Sequence, residues 1–462
     1  MVDYHYDTVI IGAGQCGVPL ARDLANAGRK TALVEGNLVG GTCVNTGCTP
    51  TKTMVASART AYLAHRAADY GVETGEVTID MLKVRDRKRS IVESFRAPSE
   101  SRLNSTENLN LIHGTAGFTS PHDLVVELKS GGDISLTAEH VVIDTGCRPH
   151  IPAIIGLSDV PYLDNESIME LDCVPEHLIV LGGGYVGLEF SQMFRRFGSR
   201  VTILQHDAVL MAREDPEICE AVAQILSDDG IEIVLSVETE RVSRLANGYI
   251  EVDIKVDGFG RTIAGSHLLV ATGRVPNTER LNLSAAGVLL DKHGYVSVDD
   301  TLKTSAGHIW AAGDVNGGPM FTHISYDDYR VIKKAILSGT AVSVKDRLVP
   351  YTMFIDPELG RVGLTEAAAR ERGYAVKTAS MPMTYVARAL ETDETRGLMK
   401  AVIDATTDQI LGCSFLGVEM GEVMTVVQVA MMGKLPYTVL RDGVFSHPGL
   451  AESLNNLFAK VN

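Results

Sequence analysis

One pattern occurs twice in this chain, and it restricts the fold more than any other feature. Thr8-Val9-Ile10-Ile11 is a short apolar run of the kind that forms a buried strand. It ends in Gly12-Ala13-Gly14-Gln15-Cys16-Gly17, a G-x-G-x-x-G. A helix from about Val18 to Ala27 follows, stopped by Gly28, and a second strand, Thr31 to Val34, ends in Glu35. The pattern returns at Leu178-Ile179-Val180-Leu181, with Gly182-Gly183-Gly184-Tyr185-Val186-Gly187, a helix to about Phe197 and the strand Val201 to Leu204. Strand, glycine turn, helix and strand in this order make a dinucleotide-binding unit. Gly12, Gly14 and Gly17, and again Gly182, Gly184 and Gly187, let the backbone approach a pyrophosphate at a helix N-terminus. Glu35 stands where an acid bonds a ribose hydroxyl. Two such units imply two different dinucleotides.

The second copy ends in Gln205-His206, not in an acid. An acid there favours NADH and an arginine favours NADPH. Gln205 is neither, while His206 and Arg213 could each approach a phosphate, so the choice stays open and leans to NADPH. Two strand ends carry Thr-Gly, at Thr145-Gly146 and Thr272-Gly273, as a chain needs where it passes close behind a bound cofactor. A third strand, from Ile309, runs into Gly313-Asp314, where an aspartate at a helix start can bond a cofactor hydroxyl.

Between the first copy and the rest lies Gly40-Gly41-Thr42-Cys43-Val44-Asn45-Thr46-Gly47-Cys48-Thr49-Pro50-Thr51-Lys52. A C-x-x-x-x-C spacing is not a same-face helical spacing, but the two Cα atoms can still come within bridging distance if the first turn is distorted. Gly47 permits that distortion. A thiol near a helix N-terminus and a lysine has a lowered pKa, and its thiolate is the reactive form. The stretch therefore reads as a redox disulfide, against the alternative of two unpaired cysteines in a turn. Its helix continues through Met54 to Ala58. From Arg59 to about Asn110 the chain reads as long polar helices, with Lys83, Arg85, Arg87, Lys88 and Arg89 on a solvated face.

Beyond Tyr351 the pattern changes to antiparallel strands and amphipathic helices, including a hairpin from Asp404 to Phe415 and a Met-rich helix from Glu422 to Met432. With Met420, Met424, Met431 and Met432, that stripe suits a core or a subunit interface. Near the end stands Phe445-Ser446-His447-Pro448-Gly449-Leu450-Ala451-Glu452. Together with a redox thiol elsewhere, His447 and Glu452 read as an acid–base pair in which the carboxylate orients the imidazole. Glu189, just inside the second helix, is either a solvated charge or a partner for Lys52.

Composition sets outer limits. The 462 residues suggest roughly three domains. A net charge of −16 and a pI near 5.3 argue against nucleic acid or an acidic membrane as partner. No apolar run approaches the roughly 20 residues that span a bilayer. The stretch Met1 to Asp7 lacks the basic region and cleavage site of a signal peptide. Seven cysteines, with one close pair, fit a reducing cytoplasm and one special disulfide.

Taken in order, these motifs resemble the FAD-dependent pyridine nucleotide–disulfide oxidoreductases over essentially the whole length. Within that family the chain looks like the mercuric-reductase-like subgroup, which includes a reactive-chlorine-resistance copper(II) reductase. Its segments Phe321 to Arg330 and Leu435 to Leu454 are similar to that subgroup. The resemblance implies an α/β fold with two Rossmann-like dinucleotide-binding domains and an α+β C-terminal dimerisation domain. The expected division is an FAD-binding domain over 1–150 and 274–345, an NAD(P)H-binding domain over 151–273 and a dimerisation domain over 346–462. It implies FAD contacts at the first glycine motif, Glu35, Gly41, Thr42, Lys52, Gly117, Thr145, Gly146 and Asp314. NAD(P)H contacts are expected at the second glycine motif, Gln205 and Gly273.

By the same resemblance Cys43 exchanges with substrate and Cys48 lies against the flavin, Lys52 and Glu189 form a pair near flavin and nicotinamide, and His447 with Glu452 serves the partner subunit of a homodimer. No resident metal is expected. Electrons would pass from NAD(P)H through FAD to the Cys43–Cys48 disulfide, and on to a disulfide or a thiol-reactive ion of the Cu(II) or Hg(II) type. Dihydrolipoyl dehydrogenase is the second enzyme reading, and a flavin-binding scaffold without chemistry the third. No cysteine follows Cys413, no N-terminal metal-binding domain precedes the first motif, and a histidine stands at 447 where mercuric reductases carry a tyrosine. All three depart from true mercuric reductases.

Overall fold

The computed structural model describes residues 3–461. Met1 and Val2, part of the stretch read for a signal peptide, lie outside the described residues. Two compact units emerge. One comprises Met1–Thr53, Arg85–His150 and Gly273–Arg347, and the other Met54–Val84, Ile151–Thr272 and Leu348–Asn462.

In the first unit the strands Leu109–Phe118, Thr31–Glu35, Asp3–Ile11, Asp133–Ile143 and Ile309–Ala311 pair in parallel. The strand Asp123–Leu128 runs antiparallel to both Leu109–Phe118 and Asp133–Ile143. A parallel strand covered on both faces needs apolar residues at every position, because alternate side chains enter two different cores. That is the case here. Val9, Ile11, Val34 and Ile143 enter one core, while Ile10, Leu33 and Val142 enter the other with Leu20 and Leu24 of the helix Gly17–Asn26.

In the second unit the repeat recurs as a four-stranded parallel sheet in the order His267–Val270, His177–Leu181, Arg200–Leu204, Glu232–Val234. A three-stranded antiparallel sheet, Val237–Arg244, Ile250–Val256 and Phe259–Gly265, is attached. The C-terminal part is a five-stranded antiparallel sheet in which Leu398–Asp404 and Ile410–Gly417 form the expected hairpin. Phe190, Met193 and Phe194 of the helix Tyr185–Phe197 share one core with Met353, Ile355, Leu359 and Leu416 of the C-terminal part. The helix Met420–Met432 divides its methionines: Met420 and Met424 are buried, whereas Met432 is 67% exposed beside the exposed Val429. Among the described residues no helix is long and apolar enough to cross a membrane.

The polar region departs from its reading. Helix Cys48–His65 gives way to a short 3-10 turn, Ala67–Tyr70, then to extended chain, before helix Met81–Asn104. Its basic run is not one solvated face. Lys88 is buried, and Arg87 donates to the Thr53 carbonyl at 2.7 Å. The helical period turns Lys88 inward while Lys83 and Arg89 stay exposed.

A buried polar knot in the second unit joins the nucleotide sheet to the C-terminal sheet. The fully buried Glu214 carboxylate receives Arg361 at 2.7 Å and the Tyr185 hydroxyl at 2.8 Å, and also the Tyr351 hydroxyl. Removing the acid strands a guanidinium without water. Glu214→Ala is therefore expected to lower unfolding stability by about 3–5 kcal/mol, read as a lower urea midpoint of the transition that includes this unit.

Candidate active site

The first glycine turn is locked by backbone contacts that only glycine allows. Gly12 has φ +109°, and a Cβ there would overlap the Asp144 carbonyl oxygen. Its N–H donates to the Val34 carbonyl at 2.8 Å. A Cβ on Gly17 would overlap the Gly12 carbonyl. Both Glu35 carboxylate oxygens are taken by the backbone, Oε2 by the Ala13 N–H at 2.7 Å and Oε1 by the Asn37 N–H at 2.5 Å. Glu35 thus shapes the turn from within. Asp144 accepts the Gly17 N–H at 2.8 Å. Asp314 lies in the 3-10 turn Gly313–Asn316, and its carboxyl is pushed up by burial against the pull of Arg274 at 3.6 Å. Thr145 and Asn277 exchange two hydrogen bonds at 2.9 Å, holding the Thr-Gly strand end. The Gly117 Cα faces the Arg280 carbonyl, and Gly114 with Thr115 borders Gly36. Gly273 has φ +116° and open space above its Cα.

The cysteine stretch is stitched onto that turn. Gly40 N–H donates to the Ala13 carbonyl at 2.8 Å, and a Cβ on Gly41 would lie 2.9 Å from the Gly14 Cα. Asn45 donates to the Val39 and Gly41 carbonyls at 3.0 and 2.9 Å, and Arg96 donates to Asn45 at 3.2 Å. The segment is two helices, Gly41–Asn45 and Cys48–His65, with the break at Thr46-Gly47. At the break the Gly47 Cα faces the Thr42 carbonyl so closely that a Cβ would sit 2.8 Å from it. The distortion expected at Gly47 is this break. Thr42 is exposed and Lys52 half-buried one turn into the second helix.

Cys43 is half-buried and Cys48 exposed. Cys48 opens its helix, and its Sγ lies 3.3 Å from the Thr322 Oγ1. Cys43 belongs to the preceding short helix and lacks that helix N-terminus. Its pKa is raised, first by the hydrogen bond with Cys48 and then by burial. The lowered pKa expected for this stretch therefore does not extend to Cys43, whose thiol is pushed up instead.

In the second unit the turn repeats. Gly182 has φ +108° and a Cβ there would overlap the Ala271 carbonyl, as Gly12 does with Asp144. A Cβ on Gly187 would overlap the Gly182 carbonyl, and above Gly184 the space is open. Gln205 repeats Glu35: its Oε1 accepts the Gly183 N–H at 2.7 Å, while its Nε2 donates to Asp207 at 3.0 Å. His206 points its Nδ1 to the Val237 carbonyl at 3.2 Å, and Arg213 is exposed. Glu189 is buried and accepts the Phe354 N–H at 2.8 Å. His447 is held by Glu452, with Nδ1 2.8 Å from Oε2, leaving an exposed Nε2 edge.

A glycine turn bound to a redox-capable thiol pair, followed by a second nucleotide turn, defines a pyridine nucleotide-linked thiol oxidoreductase. The chain belongs to the pyridine nucleotide-disulphide oxidoreductase family. That family's model matches residues 6–328, and the family's dimerisation domain matches residues 349–458. It is 38% identical over 460 residues to RclA of Escherichia coli (strain K12), named a probable pyridine nucleotide-disulfide oxidoreductase, covering 99% of each chain. It is 35% identical over 453 residues to the mercuric reductase of Bacillus cereus, covering 98% of this chain and 71% of that protein. Among solved structures, the Cu(II) complex of the HOCl-induced flavoprotein disulfide reductase RclA from Escherichia coli superposes with a TM-score of 0.89 at 38% identity, covering 98% of this chain and 99% of that one.

Three residues at the site went unread in the sequence. Thr322, beside Cys48, is 274 positions away from it, and no local pattern links them. Asp328 accepts the Gly313 N–H at 2.8 Å and is held by Arg347 at 2.5 Å. Asp144 did have a signal, since the second copy carries Ala271 at the same place before Thr-Gly. If Cys48 is what raises the Cys43 pKa, Cys48→Ala lowers it, and more thiolate is present at neutral pH. Alkylation of Cys43 by iodoacetamide, followed by peptide mass spectrometry from pH 6 to 9, should become faster and shift to lower pH. An unchanged profile would mean burial alone sets the pKa.

Proposed function

We propose that this oxidoreductase binds FAD at the first glycine turn and NAD(P)H at the second, and reduces a thiol-reactive metal ion of the Cu(II) or Hg(II) type. The observation that carries the reading is the backbone contact of the cysteine stretch with the first turn, through Gly40–Ala13 and Gly41–Gly14. The first turn fits a diphosphate: Gly12, Gly14 and Gly17 pack against Asp144 and the Gly12 carbonyl too closely for any Cβ, and this tight turn leads directly into the N-terminus of the helix Gly17–Asn26. We assign 1–150 with 274–345 to FAD, 151–273 to NAD(P)H and 346–462 to dimerisation. The cytoplasm is the proposed compartment, supported by the count of seven cysteines with one close pair.

When bound, FAD relays an electron pair from a reduced nicotinamide to a disulfide. The chain supplies the rest. Glu35 and Asp144 hold the turn, and Asp314 offers a carboxylate to a cofactor hydroxyl. Cys48, at its helix N-terminus beside Thr322, takes the negative charge that reduction leaves on sulfur. Cys43, which keeps its proton, needs a base before it can attack or bind an acceptor. We assign that base to His447, oriented by Glu452 and supplied by a second copy of the chain. The exposed Val429 and Met432 on the helix Met420–Met432 support burial in a two-fold interface. Cys43 and Cys48 then bind a soft ion as thiolates. The Cu(II) complex of the similar RclA structure supports an ion as acceptor.

The intact His447–Glu452 pair favours a second reading, a dihydrolipoyl dehydrogenase with a disulfide substrate. Side-by-side NADH and NADPH oxidation with Cu(II), Hg(II), lipoamide and glutathione disulfide decides between them. The metal reading expects kcat/KM for an ion to exceed that for either disulfide by about tenfold, roughly 1.4 kcal/mol. A preference for lipoamide would reverse the assignment. The shared site has its own test. Cys43→Ser and His447→Ala chains, each nearly inactive, are unfolded together and reassembled. Mixed dimers hold one site with both lesions and one intact site, so activity should partly return. Mixed dimers as inactive as their parents would place the dyad within its own chain.

A further inference from the structure

A buried carboxylate stands under the first glycine turn. Asp144 follows the strand Asp133–Ile143 and is 7% exposed. Its Oδ2 accepts the Gly17 N–H at 2.8 Å, and a Cβ on Gly14 would lie 2.7 Å from the same oxygen. Its Oδ1 has no hydrogen-bond partner among the described residues, and a Cβ on Gly313 would come within 3.2 Å of it. The surrounding titratable groups are Asp314, Asp328 and Glu35, all carboxylates, and the Cys16 thiol. Arg347 is paired with Asp328 at 2.5 Å and Arg274 with Asp314 at 3.6 Å. Turn geometry does not require an acid here. In the second copy Ala271 presents the same carbonyl to Gly182 that Asp144 presents to Gly12.

We propose that Asp144 is a positioning residue that works as a neutral acid: Oδ2 receives the Gly17 amide hydrogen, and Oδ1 carries a hydrogen that it donates toward the diphosphate bound by the turn. This rests on the FAD reading of that turn. The reason is charge. A dinucleotide diphosphate brings negative charge to the N-terminus of the helix Gly17–Asn26, and an ionised Asp144 would add another at the same point. The helix N-terminus and the Gly17 N–H favour the anion. Against them stand burial and three neighbouring carboxylates, which push the Asp144 carboxyl well above the usual range. Protonation removes the repulsion and leaves a donor where a charge would have been.

Asparagine reproduces the neutral acid, with one acceptor and one donor. In protein stripped of flavin, Asp144→Asn should bind FAD within about threefold of wild type at neutral pH, followed by quenching of flavin fluorescence. A change of about tenfold or more in either direction, the size of one pKa unit, would overturn the proposal. Infrared spectra of the FAD-loaded protein, labelled with carboxyl-13C aspartate, give a readout that does not depend on the variant. A carbonyl stretch of a protonated carboxylic acid should shift with the label and be missing from Asp144→Asn. Its absence from wild type would show an ionised Asp144 and sink the idea. Wild-type protein that takes up no FAD would instead overturn the flavoprotein reading, and this inference with it.

Discussion

The contact between Gly14 and Gly41 governs the rest of the first unit. Two backbones meet there at a distance that no side chain tolerates, and the Gly40–Ala13 hydrogen bond fixes their register. The cysteines therefore take their position from the first glycine turn, the one proposed to bind FAD. Around this contact the chain spends its buried polar groups on backbone amides: Glu35 on Ala13 and Asn37, Asp144 on Gly17, Asp328 on Gly313. Each satisfies a donor that would otherwise be stranded in a dry interior, where an unpaired amide costs about 1–3 kcal/mol.

The two copies of the nucleotide turn share a backbone and differ in chemistry. Gly12 and Gly182 both have positive φ and both receive a carbonyl from the strand that precedes Thr-Gly. Glu35 and Gln205 both accept the amide after the first glycine. The first copy is surrounded by carboxylates and the second is closed by an amide and an alanine. One backbone can thus serve two ligands, because the turn binds what they share and the flanking side chains meet what differs.

The cysteines are also unequal. Cys48 opens a helix, whereas the Cys43 thiol is pushed up by its hydrogen bond with Cys48 and by burial, against the pull of the Thr322 hydroxyl. In the proposed mechanism an attacking thiol with a raised pKa needs a base, the role proposed for His447 held by Glu452.

What the sequence determined by itself was everything local. Strand, glycine turn, helix and acid follow one another within about 25 residues, so both nucleotide turns, the Cys43–Cys48 stretch and the His447–Glu452 pair were legible from spacing and residue type. The tertiary structure decided what depends on distant segments meeting. It placed Thr322 against Cys48. It turned Lys88 inward and set Gly114 and Thr115 beside Gly36 at the end of the second strand. It also set the electrostatics at Asp144: burial together with Asp314, Asp328 and Glu35, carboxylates that only folding brings together, pushes its carboxyl up.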